Sequence, residues 1–231
     1  MPEPQIRSRR GIFPILAIAC FAGISSPGHA QGQEMKTTPL HAAALRDDAA
    51  AIGTLLTQDA KIDARDQGGR TALLVATRGN AIAAAKALIE AGADVNAKDN
   101  IQDSPYLEAG ALGHLEILKM ALRHGADLKS TNRYGGTALI PASERGYVET
   151  VRTLIGAGVA VDHVNKLGWT ALLEAIILGN GGEAHQRIVQ LLVDAKANVN
   201  LADRQNVTPL QHARARGFTR IEQILRAAGG H

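Results

Sequence analysis

The chain has 231 residues, a formal net charge of +3, 20% charged residues and only 3% aromatic ones. Residues 1–30 hold Arg7, Arg9 and Arg10 against Glu3 alone, which leaves 22 basic and 21 acidic residues for the rest and excludes a general nucleic-acid field. So few rings suit thin Ala/Leu/Ile-packed helices, and a single cysteine, Cys20, excludes a disulfide framework or a thiolate metal site.

At the N-terminus, Ser8-Arg9-Arg10 precedes the apolar run Gly11–Ile24, and a polar stretch closes on Gly28-His29-Ala30. Basic, apolar and small-residue zones in this order predict an export signal over 1–30, cleaved after Ala30, and hence a periplasmic or secreted protein. The apolar run is short for a bilayer and holds Pro14 and Gly23, so no membrane span is expected. Ser8-Arg9-Arg10 leaves twin-arginine export open beside the general route. Ala17-Ile18-Ala19-Cys20 imitates a lipoprotein box, with Ala17 where Leu is usual.

Six lead phrases follow, TPLHAA, TALLVA, SPYLEA, TALIPA, TALLEA and TPLQHA, starting at Thr38, Thr71, Ser104, Thr137, Thr170 and Thr208. Four intervals are 33 residues and the last is 38. A fixed period of this length predicts an all-α solenoid of six stacked helix-turn-helix units, with boundaries near 33–65, 66–98, 99–131, 132–164, 165–202 and 203–231. In the second copy Asp66-Gln67-Gly68-Gly69 is a turn, Thr71 caps a helix over 72–78, and Gly92 ends a second helix over 82–90. The other lead Thr and Ser residues are expected to cap likewise, with Pro39, Pro105 and Pro209 in the first helical position. Tyr106 replaces the inward Leu of the lead phrase and is assigned to the core. Asp59 and Lys196 stand where other copies have the helix-stopping Gly. The fifth copy has extra residues around Asn180–Ala184, expected to project as a loop between its helices.

From about Gln33 onward the chain resembles the ankyrin-repeat family, through TPLHAAA, AGADVNAKD and NVTPLQHA. The phrases Asn132–Ala142 and Leu167–Ile176 are similar to a bacterial subgroup of small, often exported members, some associated with periplasmic oxidative-stress enzymes such as catalase. The resemblance implies protein binding through hairpin tips and the open face of the first helices. On that basis Arg70, Glu108, Arg133, Tyr134, Glu144, Arg145, Lys166, Trp169 and Glu174 are the candidate partner-binding residues. Tyr134 and Trp169 fall at tips of adjacent copies, where packing demands no large ring, and Trp, Tyr and Arg dominate interface energetics.

His41 and His114 occupy repeat positions that favour a structural role. His185 near Glu183 is poor evidence for a metal, and there is no HExxH, nucleophile elbow or phosphate loop. The expectation is a monomeric, non-enzymatic scaffold for a protein partner, without cofactor or metal. An immunity or inhibitor protein, or an accessory to a secreted or periplasmic enzyme, is the alternative. A hydrolase or metal site in the Asn180–His185 loop is the remote one.

Overall fold

The computed structural model describes residues 37–231; the export signal, its cleavage after Ala30 and Cys20 lie outside the described residues. Within them the chain forms helices in pairs: α1 (Pro39–Leu45) and α2 (Ala49–Thr57), α3 (Ala72–Arg78) and α4 (Ile82–Glu90), α5 (Pro105–Leu112) and α6 (Leu115–Arg123). The remaining pairs are α7 (Leu139–Glu144) and α8 (Val148–Gly156), α9 (Ala171–Ile177) and α10 (Glu183–Asp194), and α11 (Pro209–Ala215) and α12 (Thr219–Ala227). Among the described residues no strand forms. First helices pack in one row, α1 against α3 and so on to α11, and second helices in another, so each copy touches its neighbours.

Local chemistry sets the helix starts. The hydroxyls of Thr38, Thr71, Ser104, Thr170 and Thr208 accept the N–H of the third residue beyond, at 3.2–3.4 Å. Thr137 departs from the expected pattern. Its hydroxyl is buried without a partner, α7 begins one residue late, and the Ile140 N–H donates to the Thr137 carbonyl instead at 3.2 Å. Pro141 accounts for this: it has no N–H to return to the Thr137 carbonyl, and its ring crowds that oxygen, which tightens the first turn.

Second helices end on residues in the left-handed region, and both substitutes keep that conformation, Asp59 at φ 61° and Lys196 at φ 67°. Copies are also capped across the stack. Asp47, itself at φ 54°, accepts the Ala84 N–H at 2.7 Å and so supplies the cap that the start of α4 lacks.

Leu40, Leu73, Leu139, Leu172 and Leu210 fill the same inward position in five copies and are buried. In the third copy Tyr106 takes that place and is fully buried, as expected, with its hydroxyl unpartnered. Burial, reinforced by the negative charge of Asp127, pushes the Tyr106 hydroxyl well above the ordinary tyrosine range.

The extra residues of the fifth copy do not project. Helix α10 has 12 residues where the other second helices have 9, so most of the insertion lengthens a helix. The remaining turn is pinned. Gly181 lies so close to the Phe218 ring that a Cβ there would come within 2.4 Å, and Arg216 donates to the Gly179 carbonyl at 2.9 Å.

Candidate partner-binding surface

Each hairpin is built by one Asx side chain. Asp66, Asp99, Asn132, Asn165 and Asp203 accept, through Oδ1, the N–H groups two and four residues ahead, all at 2.8–3.0 Å. These bonds pull the chain back on itself and push the two residues following each Asx outward. The tips are then joined across copies: Asn100 N–H donates to the Gly68 carbonyl at 3.0 Å and Lys166 N–H to that of Tyr134 at 2.9 Å. Lys98 Nζ reaches the Thr131 carbonyl at 2.8 Å, and Lys166 Nζ reaches that of Arg133 at 2.9 Å.

Two columns of side chains result. Ile101, Tyr134 and Leu167 occupy equivalent places in three successive tips and stand 47%, 47% and 45% exposed. Beside them run Arg133, Lys166 and Arg204, all exposed. The Arg133 guanidinium lies over the Tyr134 ring at 4.8 Å, which stiffens both groups. Trp169 is half-buried rather than free.

Behind the tips the charged residues divide. Arg78 is a hub, meeting Asp99 at 3.1 Å, Asp103 at 3.4 Å and Glu108 at 3.0 Å, while Arg133 meets Asp103 at 3.1 Å. Burial, with Glu108 and Asp99 nearby, raises the Asp103 carboxyl despite Arg133 and Arg78. Glu108 is therefore engaged within the molecule. Arg70 pairs with Asp66 at 2.6 Å, and exposed Arg145 donates to the Ala111 carbonyl at 2.6 Å. Glu144 is half-buried beside α9.

Glu174 corrects the sequence expectation. The resemblance implies a place on the open helix face, yet Glu174 is only 5% exposed and accepts the Asn165 side-chain N–H at 2.7 Å. Burial, with the neighbouring Glu144 charge, raises its carboxyl to about 7, against a smaller opposing effect from Asn165. Its work is to anchor the hairpin carrying Leu167 and Trp169. The last copy repeats the device with other chemistry: His212 Nε2 lies 2.8 Å from Asp203. Burial alone would raise Asp203, but the Val207 N–H and His212 hold it below the usual carboxylate range.

The histidines fall in structural places. His41 donates through Nε2 to the Arg70 carbonyl at 2.8 Å, His163 to that of Gly135 at 2.7 Å and His185 to that of Glu144 at 2.8 Å. His185 also meets Asn180 at 3.0 Å, so this residue stitches the inserted turn to the fourth copy. Burial lowers His114, whose Nε2 has no partner. Among the described residues no group of three or more His, Cys, Asp or Glu is placed to hold a metal ion, and no helix is long and apolar enough to cross a membrane. The resemblance also puts Arg78 on the open helix face and Arg204 at a tip; counting from the Asx residue of each hairpin, Arg204 falls in line with Arg133 and Lys166, whereas the ion pairs of Arg78 depend on the neighbouring copy.

The family model described as ankyrin repeats (3 copies) matches residues 14–99, 106–203 and 142–229. Over 56 residues the chain is 52% identical to YahD of Escherichia coli (strain K12), a relative described as an ankyrin repeat protein; this match spans 24% of the chain and 28% of that relative's length. Among solved structures, an ankyrin repeat domain from Acinetobacter baumannii AYE is 69% identical with a TM-score of 0.82, over 84% of this chain and 98% of that one. The ankyrin repeat protein EF0377 is 41% identical with a TM-score of 0.78, over 81% and 96%. The ankyrin repeat domain of Bcl-3, from the IkappaB protein family, is 27% identical with a TM-score of 0.76, over 86% and 89%. With the stacked helix pairs, the hairpin ladder and a family model covering most of its length, the chain belongs to the ankyrin-repeat family.

Proposed function

We propose that the chain is an exported, non-enzymatic scaffold that holds a protein partner on the tips and open flank of copies three to five. Ankyrin repeats serve in general as protein–protein interaction scaffolds. The observation that carries the reading is the stacked Arg133–Tyr134 pair at the centre of a row of exposed apolar tip residues. The Tyr134 ring stands 47% exposed, and such rigid aromatic and guanidinium groups supply most of the energy of typical interfaces. A partner contact of about 800 Å² per side fits a surface of this length. Export accords with the zoned segment 1–30.

The test joins capture to location. Chain purified from periplasmic extract by cross-linking and mass spectrometry should carry a reproducible partner and begin after Ala30. Tyr134→Ala with Trp169→Ala should lower that capture by about 2 kcal/mol or more in affinity. Half-buried Trp169 will contribute a modest loss of melting temperature, so Tyr134→Ala alone is run as the folded control. Unchanged capture by both variants would refute the site, and an uncleaved cytoplasmic chain would refute the export.

A further inference from the structure

We propose that the tip row takes an extended acidic segment of its protein partner, with a carboxylate at every third residue. The inference rests on the scaffold reading above and supplies its partner chemistry. Three cations, Arg133, Lys166 and Arg204, succeed one another at equivalent places in neighbouring copies. Asp103 meets one donor of Arg133 at 3.1 Å and the guanidinium rests against Tyr134 at 4.8 Å, yet 45% of the Arg133 side chain stays exposed. Lys166 spends one donor on the Arg133 carbonyl and keeps two. Arg204 has no salt bridge among the described residues, and its stem lies flat on Gly168, where a Cβ would meet it at 2.5 Å.

The spacing selects the shape of the ligand. Helix layers succeed one another at about 8–10 Å, and two extended hairpin arms per copy at about 4.8 Å each give nearly the same step. A polyproline II segment repeats every three residues at about 3.1 Å apiece, or about 9.3 Å. It therefore brings every third side chain to one face in step with the copies. A β-strand covers a similar distance but turns alternate side chains away, so a period of three fails there. Its intervening residues would lie on Ile101, Tyr134 and Leu167. Glu144 stands behind the tips, and a negative charge there disfavours an acidic chain in the groove and keeps it on the rim.

The probe is a fluorescein-labelled peptide of four Glu-Pro-Pro triplets, read by anisotropy against purified full-length chain. Its isomer of equal composition carries the glutamates in two adjacent pairs, and a third peptide replaces Glu by Lys. The triplet peptide should bind about tenfold more tightly than the isomer, weaken with salt, and exceed the lysine peptide throughout. The double variant Lys166→Glu with Arg204→Glu should lose the triplet peptide and gain the lysine one, with its helical circular dichroism and melting temperature retained. Equal binding of both acidic isomers would overturn the proposal as mere charge attraction, and so would an absence of binding or an indifferent double variant. If the peptide fails while partner capture still depends on Tyr134, the scaffold reading survives and the acidic partner falls; loss of both removes both.

Discussion

At the scale of single residues, two buried polar groups carry most of the information. Glu174 ionises against burial and the Glu144 charge, so its carboxyl sits near 7 in the folded chain and near 4.5 in the unfolded one. A raised carboxyl favours folding while it is protonated, and that contribution is lost as pH rises from about 4.5 through about 7. The penalty is on the order of 3 kcal/mol at full ionisation. Thermal unfolding should therefore show a fall in stability between pH 5 and pH 8 that Glu174→Gln abolishes, since the amide oxygen still accepts from Asn165. A variant less stable than the parent at pH 8 would contradict this. Thr137 offers a sharper contrast. Its hydroxyl is buried and idle, whereas that of Thr71 caps α3 at 3.2 Å. Thr71→Val should cost about 1 kcal/mol, and Thr137→Val should be neutral or slightly stabilising by urea titration, because it removes an unsatisfied group.

At the scale of elements, helix ends decide the register of the stack. Lys196 holds φ 67° after α10, a conformation that costs a side-chain-bearing residue about 1 kcal/mol. Lys196→Gly should raise the unfolding midpoint by an amount worth about 0.5–1 kcal/mol; a lower midpoint would show that the Lys side chain holds α10 in some other way. The insertion of the fifth copy shows the opposite of helix stopping. Once Gly182 leads into Glu183, residues 183–185 continue the helical pattern and His185 gains the Glu144 carbonyl at 2.8 Å. Extending a helix satisfies N–H groups that a free loop would leave to water, which is why the projecting loop expected from sequence becomes a turn of α10.

At the scale of the molecule, stability is shared between neighbours. Leu139 is buried in the middle of the first-helix row. Leu139→Ala should cost about 2–5 kcal/mol. Because coupling runs only between adjacent copies, it should also separate the unfolding of the two halves, so Trp169 fluorescence and circular dichroism no longer coincide in urea. Coincident transitions would argue for wider coupling. The all-α stack, the bounds of α3 and α4, the caps at five lead phrases and the left-handed residues at 59 and 196 were all legible in the sequence, because each depends on groups a few positions apart. The Tyr134 tip was legible for the same reason. Three things were decided only by tertiary structure. Glu174 turned inward because Asn165 and the fourth copy close over it, the Arg78 hub gathers carboxylates from the hairpin and first helix of the next copy, and the Ile101–Tyr134–Leu167 column exists only once copies are stacked. Local hydrogen bonding can be read from neighbours in the chain, whereas burial and charge pairing depend on which copy lies alongside.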